Sequence, residues 1–290
     1  VDIAGVDAAP AILEGWLLGQ AGGGAIADLL YGVTDPSGRL AETIPMRIED
    51  SPAYLDFPGE LSHVRYGEGV FVGYRWYDAR RLPVRYPFGH GLSYTAMELD
   101  DLSVNVDEAG LRVRCSVRNV GDRAGRAVVQ LYLGMADSVV ARPPREFKGV
   151  ATAALEPGAD AAIEMDVPRG ELAYWHRGLD DWAVEGGEYR VDVGFSSRDI
   201  RLSATVPVEG DEIATRVGLH STVAELLATT AGAEFLAATF GGMVGDDADP
   251  ELMTFLGGVP VGRLAAMAGM DRDALTAELA SSTATPQSTE

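Results

Sequence analysis

Leu111-Arg112-Val113-Arg114-Cys115-Ser116-Val117 sets an apolar side chain at every second position. Successive side chains of a strand point to opposite faces, so this run reads as a strand with one face in a core and the other in water. The same pattern returns at Ala127-Val128-Val129-Gln130-Leu131-Tyr132-Leu133, Ala161-Ala162-Ile163-Glu164-Met165-Asp166-Val167, Tyr189-Arg190-Val191-Asp192-Val193 and Ile200-Arg201-Leu202-Ser203-Ala204-Thr205-Val206. Gly, Pro, Asn and Asp separate the runs, which predicts an antiparallel β-sandwich of about 110 residues. Cys115 shares the inward parity of Leu111, Val113 and Val117, so it is expected to be a core thiol rather than a reactive one.

On either side of the sandwich the periodicity is helical. From Ala9 to about Leu30, the residues Ile12, Leu13, Trp16 and Leu17, then Ile26, Leu29 and Leu30, flank the glycine-rich Gly19-Gln20-Ala21-Gly22-Gly23-Gly24. This predicts helix, tight turn, helix. Asp35-Pro36-Ser37-Gly38-Arg39-Leu40 carries a turn signal, and the stretch from there to Pro87 reads as long loops with short strands. Beyond Pro207, Ser221 is expected to cap a helix carrying Val223, Leu226 and Leu227. Asp249-Pro250 is expected to open a second, with Leu252, Met253, Phe255 and Leu256, and Asp271 a third, through Leu275 to Leu279. The small, polar residues 281–290 are expected to be disordered.

Composition narrows the partners. At 290 residues, the chain is long enough for two domains or slightly more. It has 23 Lys and Arg against 44 Asp and Glu, and a net charge of −21 repels phosphate backbones and anionic headgroups, which argues against nucleic acid. No apolar run approaches the roughly 18 to 20 residues that span a bilayer, so no membrane partner is expected. A single cysteine excludes an internal disulfide and a Cys-based zinc site. No signal peptide is visible, and the chain opens mid-pattern at Val1-Asp2-Ile3-Ala4-Gly5-Val6-Asp7, as if a preceding segment had been removed.

Candidate chemistry is thin. Gly22-Gly23-Gly24-Ala25-Ile26-Ala27 formally fits a dinucleotide fingerprint, but what precedes it is helical in pattern rather than a strand, so a helix-helix turn is the favoured reading. His63, His90, His176 and His220 are scattered without ligand spacing, and Asp247, Asp249 and Glu251 lack the glycine and distant acid of a calcium loop. Ser93 has no Gly-x-Ser-x-Gly elbow around it. Tyr54, Tyr66, Phe71, Tyr74, Trp76, Tyr77 and Tyr86 make the region before residue 95 aromatic; these rings are expected to pack a loop-rich surface more readily than to stack sugars. Arg65, Arg75, Arg80, Arg81 and Arg85 among them are expected to pair with carboxylates and cap carbonyls.

Several strings carry a resemblance. Ala11-Ile12-Leu13-Glu14-Gly15-Trp16, Ala25-Ile26-Ala27-Asp28-Leu29-Leu30-Tyr31-Gly32 and Asp35-Pro36-Ser37-Gly38-Arg39-Leu40 resemble the end of the α/β-sandwich domain in family-three glycoside hydrolases. Tyr66-Gly67-Glu68-Gly69-Val70-Phe71-Val72-Gly73-Tyr74-Arg75-Trp76-Tyr77-Asp78 and, most specifically, Pro87-Phe88-Gly89-His90-Gly91-Leu92-Ser93-Tyr94-Thr95 are similar to that family's connection into its third domain. Asn119-Val120-Gly121, Arg142-Pro143-Pro144-Arg145-Glu146-Phe147-Lys148-Gly149, Leu155-Glu156-Pro157-Gly158, Trp182, Gly187-Glu188-Tyr189 and Gly194-Phe195-Ser196-Ser197 resemble its fibronectin type III-like domain, as turn glycines, a proline-rich crossing loop and core aromatics. The sequence departs from the pattern at Ala21, where an acid is usual, and at Ala41, where proline is.

The resemblance implies an α/β plus all-β chain. Residues 1–95 would be the C-terminal part of the α/β-sandwich domain with its connecting loops, and 96–208 an Ig-like β-sandwich; outside the resemblance, periodicity and composition predict a helical extension at 209–280 and a disordered tail at 281–290. The resemblance further implies a retaining, exo-acting β-glucosidase-type parent that cleaves terminal, non-reducing β-linked sugars. In that family an Asp nucleophile on a (β/α)8 barrel and a Glu acid/base both lie upstream of Val1 in the usual domain order. No residue here is matched to either role, no cofactor or metal is implied, and the chain alone is expected to be inactive. A permuted order does not change this, because residues 211–290 cannot encode a barrel of about 250 residues. The competing expectation is a non-catalytic interaction or glycan-binding module that packs against a separate catalytic chain.

Overall fold

The computed structural model describes residues 4–6, 9–177, 179–211, 213, 218–241 and 255–283. The chain divides into two units, Val1–Trp175 with Trp182–Asp211, and His176–Asp181 with Glu212–Glu290. Among the described residues, no helix is long and apolar enough to cross a membrane.

The larger unit is organised by a sandwich of two antiparallel sheets. One has the order β11-β10-β5-β6, from Asp199–Val208, Gly187–Ser196, Gly125–Met135 and Glu146–Leu155; the other has β3-β4-β7, from Met97–Asp107, Gly110–Asn119 and Asp160–Pro168. The alternation in β4 does what it predicts: Leu111, Val113, Cys115 and Val117 enter the core while Arg112, Arg114 and Arg118 stay outside. Register supports this, with Val113 opposite Met165 and Cys115 opposite Ile163. The Cys115 thiol is pushed up by burial, which keeps it protonated and inert. Gly110, at φ +133, makes the tight β3–β4 connection, where a side chain would overlap the Val167 carbonyl.

Strand β5 departs from the alternation read in its sequence. Residues 127–134 are buried on both faces. Ala127, Val129, Leu131 and Leu133 join the sandwich core, while Val128, Gln130 and Tyr132 are covered from the other side. A strand covered on both faces reads as a near-continuous apolar run, which fits the sequence with Gln130 as its one polar member.

Three further expectations are corrected. Among the described residues, only one α-helix forms before residue 31, α1 at Gly22–Leu30; residues 11–16 have no regular structure. Ile12, Leu13, Trp16 and Leu17 are all exposed, Leu17 completely, and an amphipathic stretch without packing on its apolar face has little to stabilise a short helix. Residues 35–40 form no turn. The Asp35 carboxylate accepts from the Ser93 hydroxyl and the Tyr94 N–H, 2.8 and 2.7 Å away, instead of folding its own backbone. Downstream, the short strands β1 (Ile44–Pro45) and β2 (Val84–Tyr86) pair antiparallel around α2 (Tyr74–Ala79). Trp182, at 63% exposure, is not a core aromatic; it meets Trp175 edge-on across the β8 (Ala173–His176) and β9 (Asp181–Val184) ribbon.

The second unit carries α3 (Val223–Leu227), α4 (Thr230–Phe240), α5 (Val261–Met267) and α6 (Arg272–Thr283) around a core of Leu226, Phe235, Leu236, Leu264, Leu275 and Leu279. Thr222, not Ser221, caps α3: its hydroxyl accepts from Glu225 N–H and the Glu225 carboxylate accepts in return from Thr222 N–H. Ser221 instead accepts from Gly218 N–H. Asp271 starts α6 by accepting from the N–H groups of Asp273 and Ala274. That helix continues through residues 281–283, which were expected to be disordered. The start of the helix expected at Asp249-Pro250 lies outside the described residues, as do 284–290, while Phe255 and Leu256, expected within it, are helical.

Leu131 is fully buried in the sandwich core, so Leu131→Ala is expected to lower the unfolding free energy by about 2–5 kcal/mol in urea denaturation.

Candidate functional site

The specific string 87–95 works as a joint between the connecting segment and the sandwich. Gln130, 3% exposed, points outward from β5 into it. Its side-chain amide donates to the Gly89 carbonyl at 3.0 Å and the Phe195 carbonyl at 2.8 Å, and its oxygen accepts from the Tyr132 hydroxyl at 2.6 Å. Burying an amide without partners costs about 1–3 kcal/mol, so this threefold satisfaction fixes both the loop and the strand. Gly89 lies at φ +83, and any side chain there would overlap the Gln130 amide. The Ser197 N–H donates to the Phe88 carbonyl beside it.

Aromatic rings seal the joint. Tyr74 of α2 stacks on Phe88 with centroids 4.9 Å apart, and Phe147 meets Phe88 and Tyr132 edge-on at 5.4 and 5.6 Å. The Tyr74 hydroxyl accepts from the Phe147 N–H. Burial, first, and Tyr74, second, push the Tyr132 hydroxyl up, so it stays a donor to Gln130. Trp76 donates to the Asp50 carbonyl under Arg80, Tyr77 is buried, and Tyr86 stacks on His90. Tyr54 and Tyr66 are exposed.

The remaining candidates are placed as follows. Ser93 donates to Asp35. Asp35 also accepts from the Arg126 N–H, and Thr95 donates to Asn119, whose amide donates to the Arg123 and Leu155 carbonyls. Gly22–Gly24 open α1 directly, with no strand before them. His63 lies against the Leu61 carbonyl and His176 against the Leu179 N–H. Among the described residues, no group of three or more His, Cys, Asp or Glu is placed to hold a metal ion. Asp247, Asp249 and Glu251 lie outside the described residues.

The buried carboxylates have structural partners. Glu185 accepts from Ser138, the Val139 N–H and Arg142, and Asp192 accepts from Ser203 and Arg190. Asp78 pairs with Arg198 at 3.0 Å, yet burial outweighs Arg198 and Arg145 and pushes its carboxyl up. Sequence reasoning passed over Gln130 and this Asp78 cluster. The signal for Gln130 was its lone polarity in an apolar run; for Asp78 none was available, because its partners are more than 60 residues away.

Gln130→Ala would orphan two carbonyls and a hydroxyl, and is expected to cost about 1–3 kcal/mol in chemical denaturation. His90 is held below its usual value by burial and then by Arg39, against a weaker pull from Asp199. The unfolded chain therefore binds the proton first, and stability is full above about pH 6.5 and falls as pH drops toward the folded value. His90→Gln is expected to flatten the stability profile below about pH 6.5.

The geometry is accompanied by clear relatives. The glycosyl hydrolase family 3 C-terminal domain matches residues 1–94, and the fibronectin type III-like domain matches 127–197. A thermostable β-glucosidase B from Acetivibrio thermocellus is 41% identical over 81% of this chain and 32% of its own length. An exo-α-(1→6)-L-arabinopyranosidase from Bifidobacterium longum is 43% identical over 79% of this chain and 30% of its own. The crystal structure of a Bifidobacterium adolescentis family 3 β-glucosidase superposes with a TM-score of 0.72 at 45% identity, covering 77% of this chain and 33% of that one. The chain spans about a third of the length of these relatives. With both domains matched in this order, the chain belongs to glycosyl hydrolase family 3, as the C-terminal region of one of its members.

Proposed function

We propose that this chain is the scaffold-bearing C-terminal part of a retaining, exo-acting β-glycosidase of the β-glucosidase type, which hydrolyses terminal, non-reducing β-linked sugars. In this reading, residues 1–95 complete an α/β-sandwich domain, 96–208 form the fibronectin type III-like domain, and 209–280 add a helical extension. The retaining reaction needs two carboxyl groups about 5–5.5 Å apart, one attacking the anomeric carbon and one protonating the leaving oxygen before activating water. Both would be contributed by sequence outside these residues. The observation that carries the reading is the match of the family C-terminal domain to residues 1–94, joined to the sandwich through Gln130 and the aromatic cluster. The structural commitments of Glu185 and Asp192 support it, since neither is available for acid/base work.

The sugar is decided by the assay. Aryl β-D-glucoside and aryl α-L-arabinopyranoside hydrolysis should be measured for the 290-residue chain and for a form extended upstream in its reading frame. Turnover by the extended form alone is the expected result; turnover by the 290-residue chain would overturn the assignment of both carboxylates to sequence outside it.

A further inference from the structure

Arg81, Arg145 and Arg198 line an open cleft of about 380 Å3 between α2 and the sandwich loops, with Asp78, Pro83 and Pro144 completing its walls. We propose that this cleft binds a small oxyanion, inorganic phosphate or a phosphate carried on a sugar. Three guanidinium groups face one carboxylate here, in a chain whose net charge of −21 repels anions elsewhere. Asp78 accepts from Arg198 Nε through Oδ1 at 3.0 Å, while its Oδ2 lies 4.0 Å from Arg145 Nε without a hydrogen bond.

Two of the arginines are fixed in advance. Arg198 Nη2 donates to the Leu82 carbonyl at 2.8 Å, and Arg145 Nη1 donates to the Ser197 carbonyl. Pre-positioned forks of this kind suit an oxyanion, because little side-chain freedom remains to be lost on binding. Arg145 Nε is buried without a hydrogen-bond partner. The third arginine is the informative one. Arg81 stands just beyond α2 with φ +53, a left-handed conformation that costs a non-glycine residue energy, and its guanidinium makes no hydrogen bond or ion pair among the described residues. Arg81 therefore brings unused donors to a cleft whose other two arginines are held. The volume falls within the range of small-ligand sites and accommodates a phosphorylated monosaccharide.

Calorimetric titration of the 290-residue chain tests this without relying on any glycosidase activity. Inorganic phosphate and glucose 6-phosphate are expected to bind one per chain, and glucose not at all. Tighter binding of glucose 6-phosphate assigns the site to a sugar-borne phosphate, and equal binding to the free ion. Arg81→Ala, at an exposed and unpaired position, is expected to weaken binding roughly ten- to a hundredfold, the worth of a charged hydrogen bond, with Arg81→Lys intermediate. Arg118→Ala, an exposed arginine on β4, should leave affinity unchanged. Absence of heat with both phosphates, or equal losses in Arg81→Ala and Arg118→Ala, would overturn the proposal.

Discussion

A buried amide governs this part of the molecule. Gln130 stands alone among Val128, Val129, Leu131 and Tyr132 on a strand whose two faces are both covered. Left without partners in that setting it would destabilise the sandwich by as much as a core truncation. The partners come from two separate places, the Gly89 carbonyl of the connecting loop and the Phe195 carbonyl of β10. The connecting segment therefore supplies one of the two carbonyls that satisfy this amide.

That requirement explains why so many otherwise unremarkable residues cluster at the joint. Gly89 is tied to its position by the closeness of the amide, Tyr132 is kept protonated by its burial, and Phe88, Tyr74 and Phe147 exclude water from the three hydrogen bonds. A second set of polar contacts, exposed or half-buried around Asp35 and deeper around Asn119, acts at the other end of the loop. Asp35 gathers Ser93, Tyr94 and Arg126, and Asn119 gathers Thr95 and two carbonyls. In both places one side chain satisfies several groups distant in sequence, so loss of any member leaves others unpaired.

The strands were legible because period-two alternation is a local property: β4, β7 and β11 each carry it in full. Strand β6 was not, since Glu146-Phe147-Lys148-Gly149 begins in a proline-rich loop and its apolar content is mostly alanine. In β5 the run was found but its geometry misread, because the cover on its outer face comes from residues distant in sequence, Gly89, 41 positions upstream, and Phe195, 65 downstream. The same limit produced the missing helix at 11–18 and the missing turn at 35–40. Helical spacing without a packing partner, and a turn signal whose aspartate is drawn to Ser93, both look locally sound and are overruled by contacts the sequence does not display. Thr222 in place of Ser221 is a one-residue error of the kind caps invite, and Glu225 three positions on was the clue.

The functional content of the chain follows from how its charged groups are used. An acid/base carboxyl must be free to gain and lose a proton near neutrality and must meet substrate. Glu185 and Asp192 accept several hydrogen bonds each and hold loops and strands together. Asp78 is the exception in degree, since burial pushes its carboxyl up, but its place between Arg145 and Arg198 gives it the role of a charge organiser. Among the described residues, the buried acids Glu185, Asp192 and Asp78 hold strands and loops together through their hydrogen bonds and ion pairs, in keeping with the proposal that both catalytic carboxyls come from sequence outside these residues.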